Sequence, residues 1–149
     1  MRRLCIGLNP TVSGIASCLV LILLLNGCAL VSHKEKENEE AMYMKASALT
    51  KLSAAVDATV RYDSLSTSLS DQELLNLSTE DDPSLLEPFN DYLLKVNRDF
   101  NHAIVMMCSK NGMQGLLEDA GCTAAMDHHL WQKEASCAFT LSSDVVCHE

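Results

Sequence analysis

The sequence is poor in aromatic residues, with one Trp, three Tyr and three Phe among 149 residues. Sheet-rich folds draw much of their packing from aromatic and β-branched side chains. A core built from Leu, Val, Ala and Met instead suits helices that pack on helices. The scarcity of aromatic residues therefore favours a mostly α-helical fold.

Basic residues are also few, since 11 Lys and Arg stand against 20 Asp and Glu. Two of the basic residues are Arg2 and Arg3, and removing them leaves 9 basic and 20 acidic residues, a charge of −11. A surface of this charge repels the phosphates of nucleic acids and anionic lipid headgroups. The composition argues against nucleic acid as a partner.

No apolar run in the early part of the chain is long enough to span a bilayer. The strictly apolar run of residues 19–25 is short, whereas a spanning helix needs about 20 apolar residues. With Arg2 and Arg3 ahead of it, the segment 1–27 is typical of a secretory signal peptide.

The four residues Leu25-Asn26-Gly27-Cys28 directly follow this apolar region. They resemble the lipobox of bacterial lipoprotein signal peptides, a resemblance confined to the N-terminal segment. It implies cleavage after Gly27, a diacylglyceryl group on Sγ of Cys28, and an acyl chain on the new amino group, with no other cofactor. Such acyl chains anchor a protein firmly. Because residue 29 is Ala and not Asp, the family's sorting rule implies the outer membrane and disfavours the inner membrane. We expect the domain to face the periplasm, with exposure at the cell surface as the alternative.

The sequence has seven cysteines. Cys5 and Cys18 leave with the signal peptide, and lipid occupies Cys28. An even number of cysteines in an exported, oxidising compartment indicates disulfides. The two disulfides are expected among Cys108, Cys122, Cys137 and Cys147. Three pairings are possible, and the short separations favour Cys108 with Cys122 and Cys137 with Cys147.

Four histidines are interspersed with these cysteines, namely His102, His128, His129 and His148. Zinc sites normally show pairs such as CxxC or HxxxH, and neither spacing occurs here. We therefore expect no metal site, and we expect the histidines to be solvated on a helix surface.

Hydrophobic periodicity divides the remaining chain into a polar tether and a series of helices. Residues 28–40 comprise the lipidated cysteine and the tether, and residues 41–149 a single helical periplasmic domain. Ser70 and Glu73 form a capping-box pattern before a short helix. The expected helices cover residues 41–63, 71–77, 83–109, 113–121 and 124–135. The tail from residue 136 is expected to be a short β-hairpin or an irregular strap.

The predicted fold is a small antiparallel helical bundle with a disulfide-stapled C-terminal region. Its central helix, within residues 83–109, has three heptads of apolar positions, which would also suit a coiled coil between copies. The e and g positions show no clear charge pattern, so packing inside a bundle is favoured.

Sequence motifs for catalysis are absent: there is no GxSxG, HExxH or Gly-rich phosphate loop. We therefore expect no enzyme, no catalytic residue and no small-molecule substrate. A small acidic domain on a lipid anchor is expected to bind another protein. One hypothesis is a pilotin-like accessory or assembly factor of a secretion, pilus or conjugation system. The alternative is a protective inhibitor, either for toxin immunity or for exclusion of phage or plasmids. A third is a purely structural envelope component.

Overall fold

A computed structural model describes residues 39–63, 68–99, 101–124, 128–129 and 135–147, the pair 128–129 by backbone alone. Cys28, the predicted signal peptide and most of the predicted tether lie outside these residues. Residues from Glu40 onward belong to one compact unit. Within the described ranges, no helix has both the length and the apolar character that a membrane crossing requires.

Helix α1 covers residues 39–62, so the helix predicted over 41–63 is confirmed. Its buried stripe is spaced at three or four residues and faces the core. The stripe consists of Ala46, Leu49, Leu52 and Val56. Lys45, next to Ala46, is half-buried, and its Nζ donates to the carbonyl of Pro88 at 3.1 Å.

Helix α2 covers Asp71–Ser78 and begins with the predicted capping box. Ser70 Oγ accepts the Glu73 N–H at 3.3 Å, and Glu73 Oε2 accepts the Ser70 N–H at 2.8 Å. These two bonds satisfy donors that a helix start leaves open. The Ser70 backbone N–H, and next its hydroxyl, hold the pKa of Glu73 below its ordinary value.

The helix predicted over 83–109 is wrong. A 3₁₀ helix covers Pro83–Phe89, and two antiparallel strands follow, β1 over Tyr92–Asp99 and β2 over His102–Ser109. Residues 103–108 are apolar at every position, and each is fully buried. An unbroken apolar run matches a helical period as well as it matches a strand covered on both faces. The coiled-coil alternative fails for the same reason, because its heptads lie in a hairpin.

The helices predicted over 113–121 and 124–135 are also wrong where the structure describes them. Strand β3 covers Gly115–Ala120, and the two-residue strand β4 covers His128–His129. The four strands form one antiparallel sheet in the order β1-β2-β3-β4. The domain is therefore a sheet with helices and not the predicted helical bundle.

Different layers cover the two faces of this sheet. Val105, Met107 and Leu117 point to one side and share a core with the buried stripe of α1. Alternate residues point to the other face, where Ile104 and Met106 are fully buried. That face is crossed by residues 135–147, which we call the strap.

The strap is irregular apart from a short helix, α3, over Ser143–Val146, which contacts β2. An isolated bridge joins Gln114 to Ser136. No hairpin occurs in the described part of the tail, so the hairpin alternative is wrong and the irregular one is correct. A partly buried cation helps to fix it, since Lys95 Nζ donates to the carbonyl of Cys137 at 3.3 Å.

Two disulfides close the fold and use all four of the expected cysteines. They join Cys108 to Cys137 and Cys122 to Cys147, so the favoured pairing is wrong. Cys108 pairs in register with Gly115 at one end of β3, whereas Cys122 follows the other end of that strand. Cys108 and Cys122 are close in sequence but lie at opposite ends of a hairpin, which prevents their bonding.

Candidate functional site

A pocket among the described residues lies beside strand β1. It has a volume of about 240 Å³. Helix α2, the 3₁₀ helix and β1 all contribute to its wall. Its apolar lining consists of Leu75, Leu86, Phe89, Tyr92, Leu93 and Leu94.

The lining places the pocket against the first residues of β1. Tyr92, Leu93 and Leu94 are consecutive, and successive side chains of a strand point to opposite faces. A pocket that touches all three lies directly against this part of the strand. In the described part of the chain β1 is the first strand of the sheet order, with β2 as its only strand neighbour. An edge strand presents backbone donors and acceptors that can pair with another chain.

The size of the pocket favours a protein side chain over a metabolite. Small-molecule sites usually enclose about 300 to 1,000 Å³, and this pocket is smaller. The exposure of Leu93 also suits contact with another protein, since this large apolar side chain is 40% exposed. The site is suited to a short extended segment that places an apolar side chain in the pocket.

The elements around the pocket are acidic. Residues 71–91 include seven Asp and Glu residues and no Lys, Arg or His. Three of the acids have structural partners in this region: Glu73 in its capping box, Asp82 at the start of the 3₁₀ helix, and Asp91 near Lys110 at 3.4 Å. The Asp91 pair is highly exposed and so contributes little attraction. A segment that docks here is favoured if it carries basic residues.

A polar seam, formed by Thr50, Ser53 and Asp57 of α1 with Asp119 and Ala103 of the sheet, holds this helix to the sheet. Asp119 of β3 accepts the hydroxyls of Thr50 and Ser53, both at 2.8 Å. Asp57 accepts the backbone N–H of Ala103 at 2.8 Å. Both carboxylates are 3% exposed, and buried acceptors with donors in place fix one arrangement of helix and strand.

A third buried carboxylate fastens the strap. Glu118 of β3 is fully buried on the strap face. It accepts the backbone N–H groups of Thr140 and Leu141 at 3.0 and 3.1 Å, and also the hydroxyl of Thr140. Ser143 donates to Asp99 at 2.8 Å and fixes the next part of the strap to the end of β1. These bonds make the strap part of the folded domain and not a loose tail.

His102 lies where the seam meets the end of the strap. Its Nδ1 is 3.2 Å from Asp57 Oδ1, and one ring nitrogen lies within 4.8 Å of the Sγ atoms of Cys122 and Cys147. The sequence did not suggest this group because its members have no metal-site spacing. His128 and His129 lie in β4, their side chains are outside the description, and His148 is outside it entirely.

The predicted lipidation site, Cys28, lies outside the described residues, so lipidation stays a prediction. The pocket was not predicted at all. One signal near it is present in the sequence, since residues 71–91 have seven Asp and Glu residues and no Lys, Arg or His.

Comparison of the chain with known protein families, curated proteins and solved structures finds no match.

Proposed function

We propose that this protein is a lipid-anchored lipoprotein of the bacterial outer membrane that acts by binding another protein. In this proposal it is an accessory or assembly factor of a secretion, pilus or conjugation system. Its domain holds an extended segment of a component of that system. The observation that carries the binding mode is the apolar pocket beside β1, the first strand of the sheet order.

The geometry of the edge supports binding by strand addition. In this mode an extended peptide pairs with an exposed strand, and pockets beside the strand select its side chains. Leu93, Leu94 and Phe89 supply such a pocket. The acidic residues of the segment 71–91 add a preference for basic flanking residues, which promotes encounter with the partner and fixes its register.

The anchor in this proposal depends on Leu25-Asn26-Gly27-Cys28. Replacing Cys28 with Ala should prevent acylation and leave the precursor uncleaved. Replacing Ala29 with Asp should retain the protein at the inner membrane in organisms that use the Asp rule. Mature protein of normal size in the first variant would disprove the lipobox assignment, and unchanged fractionation of the second would disprove the outer-membrane assignment.

Site-specific photocrosslinking in living cells tests the binding site. A photoreactive residue at Leu93 should give one major protein adduct. The same residue at Val145, which is 74% exposed on the strap, should give none. Asn90, at the pocket rim, offers a blocking variant: Asn90→Arg places a long cation there and should lower the adduct yield about tenfold, a loss of about 1.4 kcal/mol.

Val145→Arg is the matched control and should leave the adduct unchanged. Equal adducts from positions 93 and 145, or no effect of Asn90→Arg, would refute the pocket as the binding site. An adduct with a machine component that deletion of this protein mislocalises would support the assembly role.

A protective inhibitor is the second candidate, and the exposed acids of residues 80–82 favour it. This turn could enter a basic cleft of a toxin or of a protein that phage or plasmids deliver. The same crosslinking experiment separates the candidates, because a photoreactive residue at Asp81 would then give an adduct with a toxin or a delivered protein.

A further inference from the structure

The end of the strap is fastened where three metal-binding side chains meet. The Sγ atoms of Cys122 and Cys147 and a ring nitrogen of His102 all lie within 4.8 Å of one another. The two sulfurs are joined in a disulfide. All three residues are half-buried, so small solutes can reach the group from solvent.

Asp57 gives His102 the support that metal-bound histidines usually have. Its Oδ1 lies 3.2 Å from His102 Nδ1, and the backbone N–H of Ala103 fixes the same oxygen at 2.8 Å. Metal-bound histidines normally donate the other ring N–H to a carboxylate, which sets the tautomer and the ring orientation. With the proton on Nδ1, Nε2 carries the lone pair that a metal would take.

We propose that Cys122, Cys147 and His102 bind one Zn²⁺ when the disulfide between the two cysteines is reduced. A dithiol reductant gives two electrons and two protons to the S–S bond and itself becomes a disulfide. Zn²⁺ then displaces one proton from each thiol and accepts the lone pair of His102. At Zn–S bonds of about 2.3 Å, a tetrahedral site holds the two sulfurs about 3.8 Å apart.

The ligand set favours zinc over the common hard cations. Two thiolates and an imidazole suit Zn²⁺, whereas Mg²⁺ and Ca²⁺ prefer oxygen. Water fills the fourth position, as it does where a protein gives zinc three ligands. The bound ion keeps the end of the strap joined to the end of β3 under reducing conditions, so the strap face of the sheet stays covered.

The second disulfide provides an internal control. Among the described residues, no third metal-binding side chain forms such a group with Cys108 and Cys137. The proposal therefore predicts that one pair of thiols binds metal after reduction and the other does not.

Titration with Co²⁺, a coloured substitute for Zn²⁺, tests this prediction. The full chain with Cys5, Cys18 and Cys28 replaced by Ser is solubilised in detergent and reduced with a phosphine, which becomes the phosphine oxide. One equivalent of Co²⁺ should give thiolate charge-transfer and d–d absorption bands. The C108S/C137S variant should keep these bands, and the C122S/C147S variant should lose them.

Two further variants test the histidine and its support. His102→Asn should abolish the d–d bands, and Asp57→Asn should weaken Co²⁺ binding about 10- to 100-fold. Circular dichroism of each oxidised variant reports whether the fold is intact. Equal binding by C122S/C147S and the parent chain, or no binding by the reduced parent chain, would overturn the proposal.

A thermal measurement covers the case in which reduction unfolds the chain. Zn²⁺ should then restore the cooperative unfolding transition of the reduced parent chain and of C108S/C137S, but not that of C122S/C147S. A reduced parent chain that Zn²⁺ leaves unfolded would also overturn the proposal.

Discussion

Replacing Gly121 with Ala should destabilise the domain strongly, because α1 passes unusually close to this residue. A Cβ at position 121 would lie 2.0 Å from the carbonyl oxygen of Ser53 and 2.4 Å from Cβ of Asp57. Ordinary contact begins at 3.4 Å, so the helix and the end of β3 must separate by about 1.4 Å. The obstacle is largely backbone, and a side-chain rotation cannot relieve it.

The loss of stability expected for Gly121→Ala can be calculated from the hydrogen bonds of the polar seam between α1 and β3. The bonds from Thr50 and Ser53 to Asp119, both 2.8 Å, would stretch beyond hydrogen-bonding distance. Hydrogen bonds to a charged group contribute about 1.5 kcal/mol each or more, so we expect a loss of about 3 kcal/mol. At about 4 °C per kcal/mol, the Tm should fall by roughly 12 °C.

Thermal unfolding of the oxidised protein, followed by circular dichroism, measures this loss. Gly112→Ala is the control, because Gly112 has a φ of 69° and its nearest neighbour is the flexible side chain of Leu93. The control should lose about 1 kcal/mol through backbone strain, or roughly 4 °C. If Gly121→Ala lowers the Tm no more than Gly112→Ala does, α1 does not lie as close to Gly121 as the structure shows.

Three other measurements test separate parts of the fold. Leu52→Ala removes a fully buried side chain of α1 and should cost about 2 to 5 kcal/mol in urea unfolding, whereas Leu77→Ala, at a 41% exposed position, should cost less than about 0.5. Ser70→Ala should raise the pKa of Glu73 only part of the way to its ordinary value in an NMR titration, because the backbone N–H of residue 70 remains as a donor, and an unchanged pKa would contradict the bond from the Ser70 hydroxyl. Because folding lowers that pKa, the stability it contributes is present above the ordinary pKa and is lost as the pH falls through the folded value. Glu118→Gln should lose about 2 kcal/mol of strap anchoring, so the strap amides should exchange hydrogen roughly 30-fold faster, and unchanged rates would show that Glu118 does not hold the strap.

The elements that were correctly predicted from the sequence are those with local determinants. The apolar spacing of α1 and the capping box of Ser70 and Glu73 both act within a few residues, and both are present. Each of these patterns predicts one local structure from neighbouring residues alone.

The sheet was missed because its central strand has no periodicity. In β2 the core-facing residues Val105 and Met107 alternate with Ile104 and Met106, which the strap covers. Such a strand is apolar throughout, so its spacing also matches the face of a helix. The scarcity of aromatic residues also favoured the incorrect helical fold. In this protein, mainly aliphatic and Met side chains fill the core of the sheet.

The disulfide pairing and the candidate sites depend on residues that the fold brings together from distant parts of the chain. His102 and Cys147 are 45 positions apart, and the pocket combines Leu75 with Leu93. Neither juxtaposition can be inferred without the order of the strands. Sequence separation predicted the wrong partner for Cys108. This residue lies near the turn that joins β2 to β3, whereas Cys122 lies beyond the far end of β3.

The two disulfides overlap along the chain, since Cys122 lies between Cys108 and Cys137 while its partner, Cys147, lies beyond them. A protease that cuts one peptide bond anywhere between residues 108 and 147 therefore leaves its two products covalently joined. With the pairing of sequence neighbours, a cut between residues 122 and 137 would have released the C-terminal piece. On a cell surface or in a compartment rich in proteases, a single nick would leave the whole domain attached to whatever holds its N-terminus.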